Sequence, residues 1–510
     1  MRQISDAWPG LSASVYNVLV LGVIFTTCLL LLDFMKRRKP WTHYPPGPTP
    51  MPFVGNLLQI DFGNPHTSLT QMSKKFGDVY SLQYFWKNLV ILNGFQTMKE
   101  ALIQKSEDIA DRPSFPIYEH LGYTGDSKGL LIVKYGKSWK EQRRFTLTTL
   151  RNFGMGKNSL EDRVTEEAQY LCTEFQAKKG LFDPRFIINN AVSNVICSIA
   201  FGDRFQYDDE KFQRLLRLFE LTLKEESGFL AQVLNEVPWL LNVPGMADRV
   251  LAHETEIIRF LEDMVAAHRE SWDPNCVRDF IDAYLLELEK VKDTDSSINE
   301  VNLLLTTYDL FTAGTETTST TLRWALLFML LYPEVQEKVH EEIDRVIGRS
   351  RRPTMADILS MPYTNAVIHE VQRRGDIVPL ALPHMAYRDT EIGGYFIPKG
   401  TTIITNLSSV LRDERVWEKP LQFYPEHFLD KGGKFVKPEA FMAFSAGRRV
   451  CLGEQLARME LFLFFTSLMQ NLKFEVPSNQ PQPREDPLYA FTLSPYPYEM
   501  CALPRAGPLS

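Results

Sequence analysis

Phe444-Ser445-Ala446-Gly447-Arg448-Arg449-Val450-Cys451-Leu452-Gly453 is the stretch on which the reading of this chain turns. It lies directly before residues 454–472, a long apolar run with helical periodicity. Gly447 and Gly453 permit backbone angles and close approaches closed to other residues. A thiolate at Cys451 would meet free backbone N–H groups and the positive end of the following helix, and both lower a thiol's pKa. Phe444 can shield the sulfur from water, while Arg449 supplies a cation for an acidic cofactor group. This is the setting a low-pKa metal ligand needs. The other five cysteines, Cys28, Cys172, Cys197, Cys276 and Cys501, lie far apart with no C-x-x-C, which excludes a disulfide-stapled fold.

In this loop the chain resembles the cytochrome P-450 superfamily, whose haem loop reads F-x-x-G-x-R-x-C-x-G, and every fixed position matches. The resemblance implies a mainly α fold with small β-sheets, the cytochrome P-450 fold, preceded by an N-terminal transmembrane helix. It implies haem b as cofactor and O2 as co-substrate. Cys451 would be the axial thiolate, which pushes electron density onto iron and favours O–O cleavage.

Further motifs agree in order and spacing. Ala313-Gly314-Thr315-Glu316-Thr317-Thr318 lies in a helical segment, residues 302–331, where a carboxylate beside hydroxyls is poor for helix propensity. Hydrogen bonding of those hydroxyls to the backbone could open or bend the helix. By resemblance, Thr317 is the distal hydroxyl over the haem and Glu316 the acid of a proton relay. Glu370 and Arg373 stand i, i+3 on one helix and can pair. The family buries this E-x-x-R pair and completes it from a downstream Pro-Glu-Arg-Phe segment. Here that segment is Pro425-Glu426-His427-Phe428, so the third contact depends on the protonation of a histidine. Arg374 adds a charge directly after the motif. Trp139 and Arg143 match the family's W-x-x-x-R pair, with Arg144 adjacent; together with Arg449 and His384 they would bind the haem propionates.

Lys224-Glu225-Glu226-Ser227-Gly228-Phe229, Asp376-Ile377-Val378-Pro379 and residues 441–453 look closest to the drug-metabolising 2D subfamily of the vertebrate microsomal family 2. The residues speak to substrate independently. Asp309 stands in an otherwise uncharged stretch, residues 303–315, and shares one side of the helix with Ala313 and Thr317. Such a carboxylate needs a cation or several hydrogen-bond donors. By resemblance, Asp309 and Glu226 attract the ammonium of lipophilic basic amines, and Phe491 packs on the substrate. Asp309 can equally hold a neighbouring loop through backbone N–H groups. Leu131 stands where the best-known relatives carry an aromatic residue.

Residues 15–32 contain no charge and are long enough to cross hydrocarbon as a helix. Arg2 and Asp6 precede them; Lys36-Arg37-Arg38-Lys39 follows, which keeps the rest of the chain cytosolic by the positive-inside rule. Pro45-Pro46-Gly47-Pro48 reads as a stiff hinge. The division expected is an anchor over residues 1–35, a basic, proline-rich hinge over 36–50, and a haem-thiolate catalytic domain over 51–510. Strand signals are few: a hairpin over residues 79–92 broken at Lys87-Asn88, a second over 391–405 around Pro398-Lys399-Gly400, and a third region over 489–503. Residues 186–201 and 334–347 are further helical segments. The apolar, proline-broken residues 237–241 and 243–246 read as a loop that is either buried against a partner or dips into the bilayer, and the anchor favours the bilayer.

Other chemistries fail on their own motifs. Gly136-Lys137-Ser138 lacks the phosphate-loop glycine at position 131, and neither His340-Glu341 nor His369-Glu370 is followed by the second histidine of a zinc protease. A net charge of −7, with no basic stretch among stacking aromatics, speaks against nucleic acid.

The activity implied is a monooxygenase. It inserts one atom of O2 into lipophilic small molecules, with electrons from NADPH through a membrane-bound NADPH–cytochrome reductase and cytochrome b5 as a second candidate partner. The reductase would dock where Arg143, Arg144, Arg448 and Arg458 supply positive charge. The endoplasmic reticulum membrane is the location implied. Two alternatives stay open at this point: a haem isomerase or dehydratase that rearranges peroxides, and a haem-binding sensor or carrier.

Overall fold

The computed structural model describes residues 13–37, 41–125, 127–153, 158–291 and 296–505. Arg2, Asp6, Arg38 and Lys39 of the sequence argument lie outside the described residues. In chain order the first helices are α1 (Ala13–Arg37), α2 (Pro65–Phe76), α3 (Phe95–Met98), α4 (Pro116–His120) and α5 (Lys137–Asn152). Next come α6 (Asn158–Ala177), α7 (Arg185–Ala200), α8 (Glu210–Glu226), α9 (Phe229–Glu236), α10 (Asp248–Glu270) and α11 (Phe280–Lys290). The remaining helices are α12 (Glu300–Leu331), α13 (Pro333–Val346), α14 (Pro362–Gly375), α15 (Ser408–Leu411) and α16 (Glu454–Asn471). The four long segments read from periodicity fall within one or two residues of α7, α12, α13 and α16.

The 32-residue α12 is the axis of the molecule. Asn299 caps it, its side chain accepting from the Asn302 N–H, and apolar residues on nearly every face bury it among α7, α14 and α16. Gly314 sets the approach of α7, since a Cβ there would stand 2.5 Å from Ile196 Cδ1. Thr317 hydrogen-bonds back to the Ala313 carbonyl at 2.8 Å, yet α12 is helical throughout. The expected opening of the helix at the Thr-Glu-Thr run is therefore absent. Back-bonding satisfies the hydroxyl without displacing a backbone hydrogen bond.

The strands form small sheets, as expected, with different pairings. β1 (Val79–Tyr84) and β2 (Lys87–Leu92) make a hairpin whose turn is Phe85-Trp86, with Phe85 at φ 51°. Lys87 and Asn88 already belong to β2, where Asn88 Oδ1 accepts from Gln83 Nε2 across the ladder. The second expected hairpin is split. β4 (Thr390–Ile392) pairs with β5 (Tyr395–Ile397) across Gly393-Gly394, both at positive φ. Pro398-Lys399-Gly400 instead leads into β6 (Thr402–Thr405), which lies between β2 and β3 (His384–Met385). Two adjacent glycines make the tighter reversal. Near the C-terminus β8 (Pro487–Ala490) pairs with β9 (Thr492–Pro495), and β10 (Cys501–Pro504) pairs with β7 (Leu472–Glu475), a strand that starts where the expected helix ends and that the sequence did not signal.

α1 is long and apolar enough to cross a bilayer. Its last turn is fastened to the body. Asp33 pairs with Arg37 at 2.7 Å and also accepts from Trp86 Nε1 and the Phe53 N–H, while Arg37 donates to the Phe85 carbonyl. The proline segment is no free hinge either, because the Pro45 and Pro46 carbonyls accept from Ser81 Oγ and Ser81 N on β1. Residues 237–246 are half committed: Leu241 is buried against α4 and α9, whereas Trp239 is 66% exposed.

The loop that leads to Cys451 is held from α14. Arg373 donates through Nε and Nη2 to the two oxygens of Glu370, each at 2.7 Å, and both side chains are fully buried. The remaining guanidinium hydrogens reach the carbonyls of Leu411, Pro420 and Gln422. Glu370 also accepts from the Tyr424 N–H and from His427 Nδ1, at 3.2 Å. His427 Nε2 accepts from the Lys419 N–H, which places the proton on Nδ1. An imidazole that donates from Nδ1 and accepts at Nε2 thus completes the motif where the family carries arginine. Arg374 bonds the Leu421 carbonyl and Glu485, tying the same loop to the C-terminal region.

Removing one member of a buried pair strands the other, at a cost of about 3–5 kcal/mol. Glu370→Ala is therefore expected to prevent accumulation of a stable, haem-loaded fold. His427→Gln, which keeps a donor near Glu370, is expected to cost about 1 kcal/mol. Thermal denaturation of the two variants checks the order.

Candidate active site

A cavity of about 560 Å3 lies between α12 and the cysteine loop, reached by side chains from α5, α8 and α10 and by the β8–β9 turn. The loop is closed by a 3.0 Å bond from the Cys451 N–H to the Phe444 carbonyl. Gly447 has φ 76°, and a Cβ there would run into the Leu102 carbonyl and Ser106. Gly453, by contrast, has an ordinary φ of −87° and open space around its Cβ. Of the two glycines, the fold demands only Gly447.

The Cys451 sulfur opens onto the cavity and receives the backbone N–H groups of Gly453 and Glu454, at the start of α16. The expected lowering of its pKa is not what the protein alone produces. Burial dominates and pushes the thiol up, the Glu454 carboxylate adds to this, and the two N–H groups and Arg143 pull the other way. Stabilising the thiolate is left to a bound cation, and a coordinated thiol loses its proton outright. Phe444 also lines the cavity and carries Arg458 over its ring.

On the rim beside the sulfur stand three guanidiniums. Arg449 donates to the carbonyls of Ala110 and Val133, Arg143 to that of Val450, and Arg112 to those of Leu131, Leu382 and Pro383. The guanidiniums of Arg143 and Arg449 both lie over the Trp139 ring, 5.5 and 4.5 Å from its centroid. Burial, and then Arg112 beside it, push Arg449 down to about 8, and burial brings Arg112 down to about 10. Asp111 is the carboxylate that acts on these two. A trio of cations, Arg112 buried and Arg143 and Arg449 half-buried, with so little counter-charge suits a ligand that brings two carboxylates, as haem does. Arg112 escaped the sequence argument. An arginine between an aspartate and a proline carries no pattern of its own, and only the fold brings it beside Arg449. His384 donates from Nδ1 to the Ile109 carbonyl at 2.8 Å, and burial followed by Arg112 and Arg449 hold it neutral, at about 3. Its Nε2 is then an acceptor, so it borders the arginine rim without adding a donor.

Across the cavity, α12 presents Asp309, Ala313 and Thr317 along one side, and Glu316 lines the cavity as well. Glu316 does not bond Thr317. Its Oε1 accepts from Thr320 and from Thr492 of β9, each at 3.0 Å, and burial raises its pKa. Asp309 accepts from the Leu130 and Leu131 N–H groups, so the loop-holding reading is realised while the side chain also faces the cavity. Burial pushes its carboxyl up to about 7 against those two donors. Phe491, at φ 64°, is the turn residue between β8 and β9 and projects into the cavity, as does Leu131. Glu226, at the end of α8, accepts from the Tyr118 hydroxyl at 2.8 Å. A second carboxylate that sequence reasoning missed, Glu254, is bonded to it.

The four arginines expected to meet a reductase divide. Arg144 and Arg448 are exposed. Arg143 is turned into the cavity rim, and Arg458 is engaged by Glu454 and His369. The helical face from Trp139 to Arg144 thus serves both sides of the surface.

The family model described as cytochrome P450 matches residues 45–502. Cytochrome P450 2D15 of Canis lupus familiaris and cytochrome P450 2D6 of Homo sapiens are each 55% identical over 489 residues, 95% of this chain and 98% of theirs. Cytochrome P450 2D26 of Rattus norvegicus is 54% identical over 488 residues, with the same coverage. Matches of this extent set aside the peroxide-rearranging and carrier readings. The chain belongs to the cytochrome P450 family, within the 2D subfamily of family 2, and is a haem monooxygenase that takes NADPH-derived electrons from a redox-partner reductase to oxygenate lipophilic small molecules.

Proposed function

We propose that Cys451 ligates the haem iron and that the cavity selects lipophilic molecules bearing a basic nitrogen. The observation that carries the first part is a cysteine sulfur that faces the cavity, backed by two helix-terminal N–H groups and flanked by the arginine rim. Arg112, Arg143, Arg449 and Trp139 hold the propionate edge, His384 borders it, and Phe444 covers the sulfur. When bound, the haem supplies the iron at which dioxygen is activated. The protein's part is to bind, orient and handle protons. Thr317, whose hydroxyl hydrogen is directed to Ala313, offers its lone pairs to the cavity and can accept a proton there. Burial raises the Glu316 carboxyl above the usual carboxylate range, and poised between Thr320 and Thr492 it serves as a proton store.

Asp309 and Glu226 receive the ammonium, Phe491 and Leu131 cover the apolar body, and Ala313 leaves room above the reacting carbon. With Leu131 in place of an aromatic ring, the contact there is van der Waals packing alone. Residues 1–35 form the anchor, 36–50 the connection and 51–510 the catalytic domain, set in the endoplasmic reticulum membrane with Trp239 and its neighbours touching lipid. Cytochrome b5 shares the face of Arg144 and Arg448 with the reductase.

Cys451→Ala is expected to abolish the strongly red-shifted Soret band that the reduced wild-type protein shows under carbon monoxide. A red-shifted band in the variant would remove the assignment. Asp309 ionises only as pH rises through about 7, so its attraction for a cation is gained across that range and lost below it. Asp309→Asn is expected to weaken binding of a basic amine on the order of tenfold at pH 8, equivalent to about 1.4 kcal/mol, and to have little effect at pH 6. Spectral titration at the two pH values checks this.

A further inference from the structure

Glu226 does not stand alone. Glu254 of α10 is fully buried behind it, and the two are bonded carboxyl to carboxyl. The outer oxygens are taken: Glu226 Oε2 by the Tyr118 hydroxyl at 2.8 Å, Glu254 Oε1 by the Tyr123 hydroxyl at 3.1 Å. Glu226 Oε1 and Glu254 Oε2 are buried without a hydrogen-bond partner of standard geometry, and the Tyr308 hydroxyl also faces Glu254. Two carboxyl oxygens meet in this way only with a proton between them. The groups facing the pair from every packed element add no cation. They are Tyr118 of α4, Tyr123 of the following segment, Tyr308 and Asp309 of α12, and Glu225 of α8, which is itself paired with His253. Burial raises both carboxyls, and the like charge of Glu226 raises Glu254 further. Glu226 and Glu254 both line the cavity, so a cation that enters it meets the carboxyl pair directly.

We propose that Glu226 and Glu254 form one proton-exchanging cation subsite, in which a lipophilic ammonium ion reaching Glu226 takes the place of the proton the two carboxyls share. This rests on the amine reading above and names Glu254 as the second carboxylate that reading lacks. The exchange keeps the charge of the buried site constant. One unit of positive charge enters with the ammonium and one leaves to water as the proton, so no uncompensated charge is desolvated. Cation binding is then linked to proton release, and affinity rises with pH.

The test uses the haem-loaded full chain, with benzyltrimethylammonium as a cation of fixed charge and neopentylbenzene as its neutral isostere. Calorimetry in buffers of different ionisation enthalpy, from pH 6 to 8.5, counts protons released per probe bound. Asp309→Asn is the background, since Asp309 also titrates near neutrality. There, release is expected to approach one proton per cation, with affinity rising by up to about tenfold per pH unit. Adding Glu254→Gln is expected to abolish the release and flatten the affinity profile. Tyr123→Phe, which removes a donor to Glu254, is expected to move the profile to higher pH; if the Gln variant does not fold, this shift decides the matter. Undiminished release with Glu254→Gln, or an unmoved profile with Tyr123→Phe, overturns the proposal while leaving amine recognition intact. A cation that binds wild type no better than its isostere overturns both.

Discussion

Taking a charge out of water costs several kcal/mol unless something inside the protein compensates it, and the interior of this protein is arranged around that cost. The cavity is lined by charges of both signs that do not meet. Arg112, Arg143 and Arg449 gather beside Cys451; Asp309, Glu226 and Glu254 gather at the far side, on α12, α8 and α10. Had the two groups been interleaved they would have neutralised one another as ordinary buried salt bridges. Kept apart, each is poised for a ligand: the basic rim for an anionic cofactor edge, the acidic end for a cation. The shifts follow the same logic, with the arginines lowered and the carboxyls raised, all chiefly by burial.

Backbone groups make this separation tolerable. The three arginines spend their hydrogens on carbonyls of the chain around them, and Asp309 is satisfied by two N–H groups. Leu131 joins the two ends, since its N–H serves Asp309 while its carbonyl accepts from Arg112 Nε. One short segment therefore links α12 to the arginine rim through hydrogen bonds. Gly129 permits this approach, because a Cβ there would stand 2.5 Å from Asp309 Oδ2. By contrast, the Glu370–Arg373 pair has no role in a ligand site and is closed on itself, with His427, Tyr424 and three carbonyls completing it. Its rigidity is what allows the long irregular approach to Cys451 to hold one shape.

The parts of this arrangement legible in the sequence are those whose residues are close in the chain. The cysteine loop, the α12 run and the Glu370–Arg373 spacing each fit within a dozen residues, so pattern and chemistry could be read together. The direction of the Cys451 shift could not, because N–H donors are local whereas burial is a property of the whole fold. Arg112 and Glu254 were invisible for the same reason. Neither has an informative neighbour, and each gains meaning only from a residue more than 25 positions away, Arg449 for the one and Glu226 for the other. The strand pairings failed differently. Residues 390–405 hold two turn signals of similar strength, and the choice between them is made by β2 and β3, which offer β6 its partners.

Glu316 shows how far such distant contacts reach. Adjacent residues of a helix point about 100° apart, so Glu316 and Thr317 cannot both address the same point above the haem. The structure gives Thr317 the position along the side shared with Asp309 and Ala313, and turns Glu316 toward Thr492. Thr492 directly follows Phe491, whose left-handed backbone aims its ring into the cavity. The cavity-lining ring of Phe491 and the Thr492 hydroxyl that holds the Glu316 carboxyl therefore stand on adjacent residues, joined by a single peptide unit, so the turn between β8 and β9 serves the cavity and α12 at once.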